Sequence, residues 1–474
     1  MTNPHIKLIR QYDRLYSFYD VNRNAIVEID KEDYKTLFTV MQKECSLNDC
    51  ALTPRLQELL ALGYLSTNRP SKIEQHLTPF VEDYLEKRVS NLVLQVTQNC
   101  NLRCSYCAYS QNDYIDRGHN SSKMTILTAK KALRFLQEHS CDCQGIRISF
   151  YGGEPLLNFD VIKASIDFAN EIMPYKNIVY FITTNLTVLD NSMIKDFIKN
   201  NVKLVVSLDG PKSINDKYRR FSQNGFGSFD KTYSNLKRIY DLSAEYFNNN
   251  VSINAVVDPR SPVDKTQSFF MREKIFSEIK VEYHILDDTR LSTAVKRTWQ
   301  FDRNYSENIL SEFIYYAYNG AKSFDKKLFF SDIDDYIDIS QVLAIPEEQD
   351  FVSIHHGGPC LPGHKKLFVS TGGEFYVCEK ANEKAKTLNI GSLESGFDYE
   401  KIKALYNLGR LTSAECQDCW AIRFCAICAM MIDDGNNLSR DLKLRQCKLQ
   451  RKKVEGTLKN LIILNKITAC LRGE

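Results

Sequence analysis

The first apolar runs of the chain predict a β-hairpin close to the N-terminus. Residues Leu15–Val21 and Ala25–Ile29 have strand-like patterns, and the turn residues Asn22-Arg23-Asn24 separate them. Two helices are predicted after the hairpin, the first capped by Asp30 and the second begun by Thr53-Pro54. A hairpin followed by two short helices predicts a small winged-helix-like module.

A different sequence pattern begins near residue 91, where short apolar runs alternate with helical patterns. The six runs are Asn91–Thr97, Ile146–Tyr151, Ile178–Thr184, Val202–Leu208, Val251–Val257 and Val281–Leu286. Strands that alternate with helices predict a parallel sheet with right-handed crossovers. The predicted fold class is therefore α/β, a partial (β/α)6 TIM-like barrel, with its chemistry at the carboxyl ends of the strands.

These patterns predict a division of the chain into successive domains. The division is a winged-helix-like module at 1–75, a linker at 76–90, the barrel at 91–300, a charged connector at 301–350, a cysteine-rich domain at 351–450 and a closing helix at 451–474. The closing helix is basic and amphipathic from about Lys448 to Arg472.

Composition narrows the functional classes. The net charge of the 474 residues is +3, too small an excess to favour binding to nucleic acid or to anionic lipid. No run of about 18 apolar residues occurs, and the first residues have no signal-peptide pattern, so we expect a cytoplasmic protein without a membrane partner. The chain has 15 cysteines, most of them in two clusters, which favours metal ligation over disulfides.

The first cysteine cluster directly follows the first predicted strand. Its thiols, Cys100, Cys104 and Cys107, have the spacing CxxxCxxC, and Tyr106 precedes the last one. Three thiolates are one short of a tetrahedral zinc site and one short of a 4Fe–4S cluster. The spacing alone allows either a zinc site or an iron–sulfur cluster, and it favours the cluster.

Polar motifs follow the later strands. The second strand ends in YGGEP, the third in TTN and the fourth in SLDG, and an arginine follows in NDKYRRF. The candidate residues in these motifs are Gly152, Gly153, Glu154, Asn185, Ser207, Asp209 and Arg219. Each motif alone is also typical of an ordinary turn.

Taken together in this order, the motifs resemble those of the radical SAM superfamily. The resemblance implies that Cys100, Cys104 and Cys107 hold a catalytic 4Fe–4S cluster with one iron open to S-adenosylmethionine. It further implies that the GGEP stretch, including Glu154, binds the amino group of this cofactor and that Arg219 pairs with its carboxylate. Asn185, Ser207 and Asp209 would line its ribose and methionine parts.

The second cysteine cluster resembles the SPASM extension of radical SAM enzymes, which implies two auxiliary 4Fe–4S clusters. The resemblance assigns Cys416, Cys419, Cys425 and Cys447 to the outer cluster and Cys360, Cys378 and Cys428 to the inner one. Two residues precede Cys428 where the family often has three. His355, His356 and His364 flank Cys360 and are candidates for the missing inner ligand. Paired CxxC steps are also typical of zinc ribbons.

The full pattern is most similar to maturases of thioether-bridged, cysteine-rich peptides, the sactipeptide and ranthipeptide maturases. The resemblance implies a precursor peptide whose leader adds a β-strand to the N-terminal module, and an electron donor such as flavodoxin or ferredoxin. The reaction would join a cysteine sulfur to carbon through a 5′-deoxyadenosyl radical. The alternatives are a carbon–carbon crosslinking maturase and a formylglycine-forming sulfatase maturase.

Overall fold

The computed structural model describes residues 3–11, 15–42, 47, 49–107, 109, 118–261, 263–286, 296–319, 343 and 352–472. Most of the predicted connector at 301–350 lies outside these residues. Among the described residues, no helix combines the length and the apolar character needed to cross a membrane.

The N-terminal region is a three-stranded antiparallel sheet followed by two helices. The elements are β1 (Ile6–Gln11), β2 (Leu15–Asp20), β3 (Ala25–Ile29), α1 (Lys31–Met41) and α2 (Pro54–Ala61). Strands β2 and β3 form the predicted hairpin, while β1 was not predicted and pairs with β2. The carboxylate of Asp30 accepts hydrogen bonds from two backbone N–H groups of α1, and the Thr53 hydroxyl accepts one from α2, which confirms both predicted caps.

The central region begins with a two-residue strand and a short helix, and six parallel strands with helices between them follow. The elements are β4 (Lys72–Ile73), α3 (Val81–Lys87), β5 (Asn91–Thr97), α4 (Ile126–Glu138), β6 (Gly145–Gly152), α5 (Phe159–Ile172), β7 (Asn177–Thr184), α6 (Asn191–Lys199), β8 (Lys203–Ser207), α7 (Lys212–Tyr218), α8 (Phe229–Leu242), α9 (Ala244–Asn250), β9 (Val251–Val257), α10 (Asp264–Arg272), β10 (Lys280–Ile285) and α11 (Trp299–Asn319). All six predicted strands are present as β5 to β10, and each lies beside its neighbour in sequence. The parallel α/β prediction is confirmed.

The cysteine-rich region continues the same sheet, which the sequence did not predict. Its elements are β11 (Ser353–Ile354), β12 (Leu367–Val369), β13 (Glu374–Tyr376), β14 (Asn389–Ser392), β15 (Gly396–Phe397), α12 (Tyr399–Tyr406), α13 (Ser413–Gln417) and α14 (Arg440–Arg472). Strand β12 pairs in parallel with β5, and β13 to β15 follow antiparallel, giving a ten-stranded sheet. The closing helix begins at Arg440 and so includes Cys447, earlier than predicted.

The main core lies between the sheet and its covering helices. Strand β5 is buried at every position because helices and neighbouring strands cover it on all sides. A second apolar cluster joins the N-terminal sheet to the cysteine-rich region through Tyr19, Cys416, Ile422 and Leu458. The N-terminal sheet therefore packs directly against helix α14 and the loops that carry the outer cysteines.

Candidate active site

The first three cysteines lie on a loop that leaves the carboxyl end of β5. The backbone N–H of Cys107 donates to the carbonyl of Cys104 at 3.0 Å, which closes a tight turn between these two cysteines. Leu102, Tyr106 and Phe221 pack around the three sulfur atoms and form a small apolar cluster with them. The loop thus holds the thiols close together at the mouth of the sheet.

The surroundings of these thiols suit an iron–sulfur cluster. Burial raises the pKa of Cys100 to about 12 and that of Cys104 to about 11, so that metal binding would have to displace their protons. The Leu102 N–H donates to the Cys100 sulfur at 3.4 Å, a contact of the kind that tunes iron–sulfur potentials.

The two glycines of YGGEP allow β6 to approach the cysteine loop. A side chain on Gly152 would place its Cβ 2.0 Å from the carbonyl oxygen of Thr97, and one on Gly153 would lie 2.2 Å from that of Asn99. Gly152 also has a φ of 141°, in the region that favours glycine. These residues therefore permit a backbone contact between strand ends, and both line the cavity described below.

Glu154 lies fully buried behind this contact. Its carboxylate accepts hydrogen bonds from the Leu156 N–H at 3.0 Å, the Thr184 hydroxyl at 2.7 Å and the Asn185 N–H at 2.7 Å. Burial raises the pKa of Glu154, and these three donors oppose that shift. Glu154 thus links the end of β6 to the end of β7 through its hydrogen bonds, which we call its bracing position. Its contact with a cofactor amino group stays a prediction.

Tyr106, Asp209 and Arg219 form one hydrogen-bonded network, in which Asp209 and Arg219 are buried and Tyr106 is partly buried. The Tyr106 hydroxyl donates to Oδ2 of Asp209 at 2.6 Å and accepts from Nη1 of Arg219 at 2.6 Å. A second oxygen of Asp209, Oδ1, lies 3.8 Å from the guanidinium and accepts from the Val256 N–H at 3.1 Å. Burial raises the pKa of Tyr106, which keeps the phenol protonated and able to donate.

These groups surround a cavity of about 420 Å³ at the carboxyl ends of the strands. The predicted site residues that line it are Cys100, Cys104, Tyr106, Cys107, Gly152, Gly153, Asn185, Ser207 and Arg219. Glu154 and Asp209 do not line the cavity and are buried behind the residues that do. The structure therefore brings nine of the eleven predicted site residues of the barrel to the surface of one cavity.

Sequence reasoning missed several residues of this cavity. Asn254 at β9, His119 in the segment before α4, and the consecutive residues Glu379 and Lys380 also line it. The Glu379 carboxylate pairs with Lys366 at 2.8 Å and is 15% exposed. Glu379 directly follows Cys378, and this adjacency was the only sequence signal for it.

The predicted inner cysteines share a second cavity, of about 380 Å³. Cys360, Cys378 and Cys428 line it together with Arg147, Lys365 and several apolar side chains. Cys378 lines the second cavity and the next two residues, Glu379 and Lys380, line the first, so the segment after β13 contributes to both. The second cavity lies toward the amino ends of β5 and β6, where Asn91 and Arg147 line it.

The three candidate histidines, His355, His356 and His364, do not line this second cavity. No histidine is present among the described residues that line it. His355 accepts from the Gly409 N–H at 2.8 Å, His356 stacks on His355 with ring centroids 4.4 Å apart, and His364 packs against Tyr84 at 5.3 Å. The structure therefore does not support the histidine substitutes that the sequence suggested.

The predicted outer cysteines also lie together. Cys416, Cys419, Cys425 and Cys447 are close enough for their charges to interact, and burial raises the pKa of Cys425 to about 12. Cys416 belongs to α13 and Cys447 to α14, while the other two lie on the loop between these helices. The fold thus separates the seven later cysteines into a group of four and a group of three.

Comparisons with known proteins agree with the chemistry of the first cavity. Residues 94–265 match the family model described as the Radical SAM superfamily. The chain is 32% identical over 193 residues to a cysteine-type anaerobic sulfatase-maturating enzyme of Clostridium novyi, a match that covers 40% of this chain and 49% of the relative. It is 22% identical over 290 residues to the radical SAM cyclopropyl synthase TigE of Paramaledivibacter caminithermalis, covering 54% and 57%.

A solved structure shares the fold over a longer span. Native anSMEcpe with bound AdoMet and Cp18Cys peptide superposes with a TM-score of 0.56 at 19% identity, covering 80% of this chain and 99% of that one. The chain spans about half the length of the curated relatives it matches.

The matched residues include the cysteine loop, YGGEP, the end of β7, SLDG and Arg219, all of which meet at the first cavity. A radical SAM domain implies S-adenosylmethionine and a 4Fe–4S cluster, and the three thiols with their apolar shell fit that group. The chain therefore contains a radical SAM domain, residues 94–265, within an α/β fold built on a large parallel sheet.

Proposed function

We propose that this chain is a cytoplasmic radical SAM maturase that forms thioether crosslinks in a ribosomally made, cysteine-rich peptide. The observation that carries the proposal is that the consecutive residues Cys378 and Glu379 line two different cavities, one at the predicted cofactor site and one at the predicted inner cysteines. We propose that the peptide reaches both cavities, with a carbon in the first cavity and a cysteine sulfur beside Cys360, Cys378 and Cys428. These are the two atoms that a thioether bond joins.

The first cavity provides for cofactor binding. Cys100, Cys104 and Cys107 would hold the catalytic cluster, Arg219 would take the carboxylate of S-adenosylmethionine, and the backbone of Gly152 and Gly153 would face its amino group. When bound, the cofactor and this cluster supply hydrogen-atom abstraction from an unactivated carbon. The chain's own contribution is to fix positions and to exclude water, since so reactive a species is selective only through geometry.

The second cavity supplies three thiols where a 4Fe–4S cluster has four iron atoms. We propose that Cys360, Cys378 and Cys428 hold the inner auxiliary cluster and that a cysteine of the substrate provides the fourth thiolate. Cys416, Cys419, Cys425 and Cys447 would hold the outer cluster with a complete set of four. The total is then three clusters.

A leader segment of the peptide is proposed to bind the N-terminal sheet. Strands β1 and β3 are its outer strands, and each pairs only with β2 among the described strands. An outer strand can accept an added strand through its free backbone groups. Hydrogen–deuterium exchange with a synthetic leader peptide tests this point: we expect new protection confined to β1 or β3, and unchanged exchange at both strands would exclude leader binding there.

Mass spectrometry of the product tests the reaction. The reconstituted enzyme is incubated without oxygen with reductant, S-adenosylmethionine and a cysteine-rich precursor encoded beside its gene, and the product is then alkylated at its thiols. Each crosslink replaces one S–H and one C–H bond by an S–C bond. We expect a loss of two hydrogen atoms per event and one cysteine that no longer reacts. The same mass loss with every cysteine still reactive would exclude a thioether and support a carbon–carbon crosslink.

One observation favours a second candidate function, the oxidation of a substrate cysteine to formylglycine. Such a reaction needs a carboxylate base, and Glu379 places a carboxylate in the first cavity. The relative from Clostridium novyi is named a sulfatase-maturating enzyme. A product aldehyde that reacts with a hydrazide, and that is lost in Glu379→Gln while cofactor cleavage persists, would support this function over crosslinking.

A further inference from the structure

Helix α14 carries a buried lysine that contacts a cysteine of the outer group. Lys443 is only 1% exposed. Its ammonium group donates to the Leu408 carbonyl at 3.1 Å, the Thr412 hydroxyl at 2.7 Å and the Cys416 sulfur at 3.6 Å. Lysine has three N–H donors, so these three acceptors complete its hydrogen bonding.

A buried ammonium group such as that of Lys443 is normally paired with an anion. Burial of an unpaired ammonium is costly, and buried charges in proteins are normally paired or bound to metal centres. Among the described residues, no carboxylate pairs with Lys443, and its three acceptors are a carbonyl, a hydroxyl and a sulfur. The one acceptor that can carry negative charge is Cys416, as a thiolate.

Thr412 extends this contact. Its hydroxyl accepts from Lys443 and lies 3.3 Å from the same Cys416 sulfur, so its own hydrogen is available to that sulfur. Thr412 is also 1% exposed. The Cys416 sulfur therefore has two polar contacts that suit a thiolate ligand, within an apolar setting that strengthens them.

A second cation lies on the same face of α14, near a second cysteine of the outer group. Lys443, Cys447 and Arg451 are spaced at i, i+4 and i+8, and such residues lie along one face of a helix. Arg451 and Cys419 line the same surface opening, which places the guanidinium group near this second cysteine of the outer group. One helix face thus presents a thiol between two cations, and each cation lies near a different cysteine of the outer group.

We propose that Lys443, assisted by Arg451, is a positioning residue for the outer auxiliary cluster: it supplies the compensating positive charge and raises the cluster's reduction potential. The proposal rests on the proposed assignment of Cys416, Cys419, Cys425 and Cys447 to that cluster. Hydrogen bonds to cluster sulfurs and local charge are among the factors that set such potentials. Removal of the charge therefore disfavours the reduced, more negative state.

The test is a potentiometric titration of the full reconstituted chain, followed by electron paramagnetic resonance together with iron analysis. The outer component is identified as the signal lost in Cys425→Ala. Lys443→Met keeps an unbranched chain of similar length and removes the charge. We expect wild-type iron content and a shift of at least tenfold in the one-electron equilibrium toward the oxidised form, about 59 mV to more negative potential, with the other components unchanged.

Lys448→Met is the matched control, because Lys448 lies on the same helix and is exposed. It removes the same charge from a site where solvent screens it, and we expect less than a twofold shift. Unchanged potentials in Lys443→Met with full iron content would overturn the proposal. If this variant does not fold, Thr412→Val and Arg451→Met decide: a negative shift of the outer component supports the proposal, and no shift in either overturns it.

Failure of the underlying cluster assignment has a different signature. In that case Cys425→Ala keeps all of its iron and every resonance component, so no outer component exists to be shifted. That result would remove the three-cluster proposal itself. Unchanged potentials beside a clear Cys425→Ala loss would remove only the role of Lys443.

Discussion

The phenol of Tyr106 donates a hydrogen bond to Asp209 across 2.6 Å, and this contact ties the cysteine loop to the segment just after strand β8. Arg219 donates to the same phenol, so the three side chains form one hydrogen-bonded unit. Tyr106 lies one residue before Cys107, which means that the position of the loop depends on a residue about a hundred positions away. The cofactor cavity is therefore set jointly by the loop and by the strand ends.

Replacement of Tyr106 by phenylalanine tests this unit. Without the hydroxyl, Asp209 and Arg219 are left 3.8 Å apart, and we expect them to pair directly and draw the guanidinium out of the cavity. Loss of a hydrogen bond to charged groups costs about 1.5–3 kcal/mol, roughly tenfold to a hundredfold in affinity. Anaerobic equilibrium dialysis with S-adenosylmethionine should show this loss at unchanged iron content.

Tyr218→Phe is the control for that experiment. The Tyr218 ring lies 5.8 Å from the Tyr106 ring, but its hydroxyl contacts Asp258 instead. We expect wild-type affinity for S-adenosylmethionine in this variant. Equal affinity in Tyr106→Phe and the wild type would contradict the proposed role of the network.

Replacement of Glu154 by glutamine should destabilise the domain as well as the cofactor site. The carboxylate accepts three hydrogen bonds, and an amide nitrogen in place of one oxygen turns a buried acceptor into a donor. We expect the free energy of unfolding to fall by about 2 kcal/mol, measured by urea denaturation of the apoprotein. Glu171→Gln, at an exposed position of α5, should leave it unchanged, and equal stability of both variants would argue against the bracing position.

Substitution of one cysteine in either group should remove the iron of that group and leave the iron of the other group in place. Because Cys360 and Cys425 belong to different groups, we expect Cys360→Ser and Cys425→Ser each to lose about four iron atoms per chain, and the double variant about eight. Cys141→Ser, at an exposed cysteine outside both groups, should keep the full content. Loss of iron from both groups in either single variant would mean that the two sites do not assemble independently.

Acid should weaken the N-terminal sheet through His5. Burial, with a smaller effect of Arg69, lowers the pKa of His5 to about 4 in the folded chain, against an ordinary value of 6.5. The unfolded chain therefore binds more protons between these values, so that stability falls as the pH falls from about 6.5 toward 4. The loss attributable to this group is at most about 3 kcal/mol.

Urea unfolding of the apoprotein between pH 4 and 7 measures this effect. His5→Leu should flatten the pH dependence, although burial also lowers the pKa values of His119 and His355 to about 4, and these groups stay in both proteins. His284→Leu, at a side chain that is 61% exposed, serves as the control. A pH dependence that is the same in His5→Leu and the wild type would contradict the assignment.

The sequence predicted those parts of the fold that depend on local patterns. Strands β5 and β9 have the predicted bounds, since a buried strand is a continuous apolar run between turn residues. The caps of α1 and α2 were predicted for the same reason, because a capping side chain contacts N–H groups within three residues. The order of motifs at strand ends was likewise enough to place the first cavity, because parallel strands bring their carboxyl ends to one edge.

Contacts between distant segments were decided only by the tertiary structure. Strand β12 is three residues long and joins the sheet beside β5, a pairing that carries no local periodic signal. The entry of Glu379 into the first cavity follows from that pairing. The sequence also did not predict the burial of Lys443, because this residue lies in a stretch whose basic residues suggest an exposed helix face. The amino-acid sequence by itself determined which residues could form strands, caps and thiol ligands, whereas packing decided which of them meet, since long-range contacts depend on the whole core.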